Sequence, residues 1–155
     1  MTFPRAVTLF GCAVGALLFG APDASAQGLA RDPEGFLIAR PEDTRPTEGG
    51  GRSVRIYEDA ETGLYVTQIT WPPGTGSRPH FHDQDRHIHV MKGTWWVSTG
   101  EAAEVYDPDS TIPVGPGTFI YEPAGGVHYD MAKDEEVVVQ IWGFGPVNTT
   151  SIPQP

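Results

Sequence analysis

Glycine and proline interrupt this chain so often that no long helix can run through it. They account for 19 and 15 of its 155 residues, close to twice the ordinary combined share of roughly 12%. Between the interruptions lie short runs rich in β-branched and aromatic residues: Ser53–Glu58, Leu64–Trp71, Ile88–Met91, Thr94–Ser98, Glu104–Tyr106, Thr118–Glu122, Val127–Met131 and Val137–Trp142. Turn signals separate them, among them Lys92-Gly93, Asp107-Pro108 and Pro123 to Gly126. No run sustains a helical period of 3.6 residues. Eight or so short strands at regular spacing predict an all-β protein, a sandwich or a closed barrel. The length suits one domain with a real core, and no internal repeat suggests a second.

The chain divides unevenly. Residues 1–26 carry one early positive charge (Arg5), an apolar run from Ala6 to Phe19, and then Ala24-Ser25-Ala26. That order is the order of a secretory signal peptide cut after Ala26. The apolar run is shorter than the about 20 residues a membrane span requires. A periplasmic or secreted protein is expected, with no membrane attachment once the signal is removed. Residues 27–52, rich in Pro, Gly, Glu and Thr, read as a flexible arm with a short strand at Phe36–Ile38. The barrel is expected over 53–147 and a tail over 148–155.

Charge and cysteine usage exclude several classes. The formal net charge of -10 and the absence of any Lys/Arg run argue against nucleic acid as a partner, because phosphate binding needs a basic patch. The single cysteine, Cys12, lies inside the expected signal. The mature chain would therefore have no disulfide, thiolate ligand or nucleophilic thiol. Any metal must rest on imidazole and carboxylate.

All five histidines fall between positions 80 and 128. His80 and His82 stand at i and i+2, which puts both imidazoles on one face of an extended chain. Two imidazoles a few ångströms apart are ready to share a metal. His128, in another strand after a Pro-Gly turn, is the expected third donor.

Glycines and a proline frame these histidines at fixed distances. Gly74, His80, His82 and Gly93 fit the pattern G-x5-H-x-H followed by a later glycine. Gly117, Pro123, Gly125 and His128 fit G-x5-P-x-G-x2-H. In these two motifs the chain resembles the cupin superfamily. The resemblance implies a double-stranded β-helix, or jelly-roll barrel, with one divalent metal ion per chain (Fe, Mn, Zn, Cu or Ni). It also implies a small-molecule ligand or substrate and a homodimer.

The sequence departs from the family pattern twice. Ala132 replaces the asparagine that closes the second motif, and the carboxylate of the first motif is missing. Its position holds Arg86 or, at the alternative spacing, His87. Arginine stays protonated and cannot ligate a metal. Two arrangements follow from strand parity. In one, three histidines hold the metal and Arg86 points inward to bind an anionic substrate or a neighbouring carboxylate. In the other, His87 turns inward as a fourth ligand.

Other residues have weaker claims. Gln140, in the apolar run Val137–Trp142, and Tyr121, near His128, are candidate substrate-binding groups beside Arg86. Trp95, Trp96 and Trp142 are expected to fill the barrel, and Glu122 is the best-placed carboxylate for a general base. No residue is singled out as catalytic. The sequence supports an exported metalloenzyme acting on a small molecule by oxygenase, isomerase or lyase chemistry. It equally permits a non-catalytic module that binds a small ligand or metal, because fold does not give function.

Overall fold

The computed structural model describes residues 29–47 and 52–155. The expected signal peptide lies outside the described residues. Among the described residues eleven strands form: β1 (Ser53–Glu58), β2 (Leu64–Trp71), β3 (Thr75–Gly76), β4 (His80–His82), β5 (Arg86–Lys92), β6 (Trp95–Thr99), β7 (Ile112–Val114), β8 (Phe119–Glu122), β9 (His128–Ala132), β10 (Val137–Phe144) and β11 (Thr149–Ser151). They make two sheets of antiparallel strands facing each other. One has the order β1-β2-β10-β5-β8 and the other β11-β4-β9-β6-β7, with β3 also on β9. The helices among the described residues are two short 3₁₀ turns, Gly100–Ala103 and Pro108–Ser110. None is long and apolar enough to cross a membrane.

Alternation along the strands decides what lies inside. Val137, Val139 and Ile141 of β10 lie beside Ile88 and Val90 of β5 on the inner face of one sheet, with Tyr65, Trp71, Trp95, Val97 and Ala132 completing the core. Each fully buried aliphatic side chain contributes about 1.5–3 kcal/mol. The opposite parity of β10 sends Gln140 and Trp142 to the outer face. A second cluster of Ala103, Tyr129 and Met131 covers the outside of the other sheet, packed with Trp96 and Tyr106.

Turns join the strands where the chain can reverse cheaply. The β1–β2 hairpin closes through Asp59, whose Oδ1 accepts from the Glu61 N–H at 2.9 Å and the Thr62 N–H at 3.3 Å. At the β5–β6 turn Gly93 has φ +75°, and a Cβ there would stand 2.4 Å from the Glu136 carbonyl oxygen. Only glycine fits that close approach.

Several expectations need correction. Glu104–Tyr106 is no strand: 3₁₀ turns on either side take the chain across Tyr129, whose hydroxyl donates to the Asp107 carbonyl at 2.6 Å. Phe36–Ile38 makes only an isolated bridge, between Arg31 and Leu37. The arm packs on the first sheet's outer face, where Gln68 Nε2 donates to Thr44 Oγ1 at 2.9 Å. The segment expected as a tail supplies β11, which pairs with β4.

Candidate metal centre

The site is assembled by three short pairings. β4 has only three residues, His-Phe-His, so its period of two places both imidazoles on the barrel side. Strand β9 brings His128 directly opposite His80, and β11 brings Thr149 opposite His82. The ring centroids stand 4.9 Å (His80–His82), 4.3 Å (His80–His128) and 5.4 Å (His82–His128) apart. Each of the three residues offers a ligand atom within 4.8 Å of the others.

Hydrogen bonding behind the rings orients them. His80 Nδ1 donates to the Arg78 carbonyl at 2.6 Å, and His128 Nδ1 to the Gly126 carbonyl at 3.0 Å. Those bonds fix the tautomer that leaves Nε2 with a lone pair. His82 Nδ1 lies 3.0 Å from Thr149 Oγ1. Such outer partners are the ordinary support of metal-binding imidazoles. The Nε2 atoms of His82 and His128 are buried and have no hydrogen-bond partner, a costly arrangement unless something fills it. Burial pushes the His82 imidazole down to about 3 and lowers His80 and His128 as well. All three are neutral at neutral pH, which is the ligating form. The residues fit a divalent ion.

Two charged side chains sit beside the imidazoles. Arg86 and Glu122 are register partners across β5 and β8. Arg86 Nε and Nη2 donate to Glu122 Oε1 and Oε2, both at 2.9 Å, in a bidentate pair. The two side chains are only 13% and 7% exposed. Glu122 Oε2 lies 3.4 Å from His128 Nε2, and Oε1 lies 3.8 Å from His82 Nε2.

Cavities approach from both sides of this pair. One, of about 650 Å³, is lined by Arg55, Tyr65, Thr67, His82, Arg86 and Thr149, among others. The other, of about 420 Å³, includes Glu122, His128 and Asp130 on a wall that is otherwise mostly apolar. The ion pair stands between a polar mouth and an apolar chamber.

Of the two parities open to β5, the strand adopts the one that turns Arg86, Ile88 and Val90 inward. His87 is on the opposite face from the cluster, stacked on Trp142 at 5.8 Å and 13°, and is not part of it. Tyr121 and Gln140 also belong to the outer face. Tyr121 is 53% exposed, and Gln140 Nε2 donates to Gln68 Oε1 at 3.2 Å. Neither side chain reaches the interior, because each shares its strand's outward parity. Three participants were not placed at the centre by the sequence motifs. Thr149 lay in an apparent tail, Glu122 is tied to Arg86 only through register, and Asp130 follows His128 at i+2, which puts it inside.

Residues 42–148 match the family described as the ChrR cupin-like domain. Among solved structures, the chain resembles a protein with a double-stranded β-helix domain from Klebsiella pneumoniae (TM-score 0.56, 18% identity, 73% of this chain and 93% of that one). It also resembles a cupin-like protein from Thermotoga maritima (0.53, 18%, 64% and 75%). A third is the DMSP lyase DddQ from Ruegeria pomeroyi (0.53, 13%, 64% and 50%), of which the chain spans half the length. At these identities the likeness is one of fold. No curated protein matches the sequence.

Proposed function

The chain belongs to the ChrR cupin-like domain family, within the cupin superfamily, and on that premise we propose that it is an exported metal-dependent enzyme acting on a small molecule. One observation carries the reading: three neutral imidazoles converge on one point with a buried carboxylate 3.4 and 3.8 Å from two of them. His80, His82 and His128 hold one divalent ion through nitrogen. Such a set suits Fe, Mn, Zn, Cu or Ni and not the oxygen-seeking Mg²⁺ or Ca²⁺. Bound there, the ion supplies Lewis acidity toward an oxygen-bearing substrate.

The chain's own groups do the rest. Glu122 is the proton acceptor, facing the space beside His82 and His128. Arg86 positions it: two parallel hydrogen bonds fix the carboxylate plane and leave each oxygen a further lone pair. A positioned base beside a metal serves isomerase, lyase and oxygenase chemistry, the three classes proposed. The apolar wall beside Glu122 and His128 lowers the local dielectric and strengthens these electrostatic interactions.

The test is elemental analysis of protein recovered from the periplasm or medium, beside His80→Ala and His87→Ala variants. About one metal per chain is expected in the parent, lost in His80→Ala and kept in His87→Ala. The recovered chain should begin at Gln27. A parent without metal refutes the reading. Loss of metal in both variants refutes the three-histidine site.

A further inference from the structure

One more acid lies inside the barrel, and the metal centre does not use it. Asp130 stands two residues beyond His128 on β9, pairs with Val97 of β6, and is 5% exposed. Its Oδ1 is buried with no hydrogen-bond partner. The backbone holds it in place. The Asp130 N–H donates to Ser77 Oγ at 3.0 Å, and the Ser77 N–H donates to the Asp130 carbonyl at 2.8 Å. Around it, Ile88, Trp95, Val97, Ile120 and Val127 line the chamber of about 420 Å³.

A position that packs among such neighbours is filled more stably by an apolar side chain. A carboxyl there costs stability unless something donates a hydrogen bond to it. Trp95 Nε1, on the same chamber wall, is a second buried atom without a partner, and it is a donor. One unsatisfied acceptor and one unsatisfied donor on a single apolar wall call for a group that both donates and accepts. A hydroxyl does both. An ammonium donates but has no lone pair to accept from the indole N–H.

We propose that this chamber binds a small, largely apolar molecule carrying one neutral hydroxyl, with Asp130 as the acceptor that selects it. The molecule's other end points toward Glu122 and His128, at the mouth of the same chamber. Only that orientation rests on the metal-dependent reading; the subsite itself does not. Asp130 is a specificity-determining residue here and takes no part in proton removal.

The probes are benzyl alcohol, benzyl methyl ether and benzylamine, titrated at about pH 8.5, where a carboxyl is an acceptor only, into chelator-treated and metal-loaded protein. Binding is followed by the Trp95 indole N–H resonance, with metal content measured on the same samples. Benzyl alcohol should bind in both forms and shift that resonance, at least tenfold more tightly than the ether or the amine. Asp130→Leu should lose this preference. Equal binding of alcohol and ether, tighter binding of the amine, or no binding of any probe to the parent overturns the proposal. So does a preference that survives in Asp130→Leu. Should that variant fail to fold, the three probes on the parent still decide. Parent protein with no metal but a clear alcohol preference sinks the metal-dependent reading and keeps the subsite; metal without the preference does the reverse.

Discussion

Replacing Arg86 by methionine leaves the Glu122 carboxylate inside the barrel with no counter-charge. At 2.9 Å and an effective dielectric of about 20, the Coulombic attraction within the pair is about 6 kcal/mol. Desolvation of two groups this deeply buried offsets most of that sum in the folded protein. The offset vanishes when one partner is removed, because the remaining ion keeps its desolvation cost and loses its attraction. The three neighbouring imidazoles are neutral and cannot substitute for the guanidinium. Arg86→Met and Glu122→Leu are each expected to cost about 3–5 kcal/mol. The double variant should fall near the parent, because it buries no unpaired charge. Urea unfolding of the four chelator-treated proteins at neutral pH measures the cycle, and the coupling should be at least about 3 kcal/mol. Single costs below about 1 kcal/mol, or costs that simply add in the double variant, would refute the claim that the pair is buried and mutually dependent.

Two further outcomes follow from the centre's surroundings. Metal-free protein should lose stability as pH falls below about 6.5, because the unfolded imidazoles take up protons that buried His82 refuses until about pH 3. That residue alone accounts for up to about 3 kcal/mol by pH 4. Asp130 acts in the opposite direction: burial pushes its carboxyl up to about 7, so its contribution is lost as pH rises from 3.8 to 7. The measurement is therefore made on Asp130→Asn, by denaturant unfolding from pH 8 to pH 4, and a flat profile contradicts the burial of the imidazoles. Separately, Thr149→Val removes the oxygen 3.0 Å from His82 Nδ1. Metal affinity should fall by about 10- to 100-fold in a chelator competition, and an unchanged affinity denies that the last strand supports the site.

The motif histidines were legible because spacing and strand parity act over a few residues. His80 and His82 could only share a face, and the Gly117–His128 spacing placed the third ring. What sequence could not supply was register between distant strands. Whether Arg86 or His87 faced inward depended on how β5 sits against β8 and β10, and the 36-residue separation of Arg86 from Glu122 hides their pairing. Trp142 looked like barrel filling because it is large and apolar, yet its neighbours Val139 and Ile141 had already taken the inward parity. Glu104–Tyr106 has strand-like residues, and its course is set by tertiary packing on Tyr129. Asp130 resembles any polar residue in an alternating strand until the parity of His128 is applied to it.

Strand β8 sits at the rim of its sheet, four residues long and paired on one side only, to β5. Half of its backbone donors and acceptors lack a ladder partner, so among the strands of that sheet it is one of the least costly to lift away. Glu122 rides on this strand, which makes the Arg86 clasp a latch as well as a pair of charges. When a guest widens the inner chamber, the movement should begin here, while His80, His82 and His128 keep their places on the opposite sheet. Amide hydrogen exchange along Phe119–Glu122 should therefore respond to occupancy of the barrel sooner than exchange anywhere near the imidazoles.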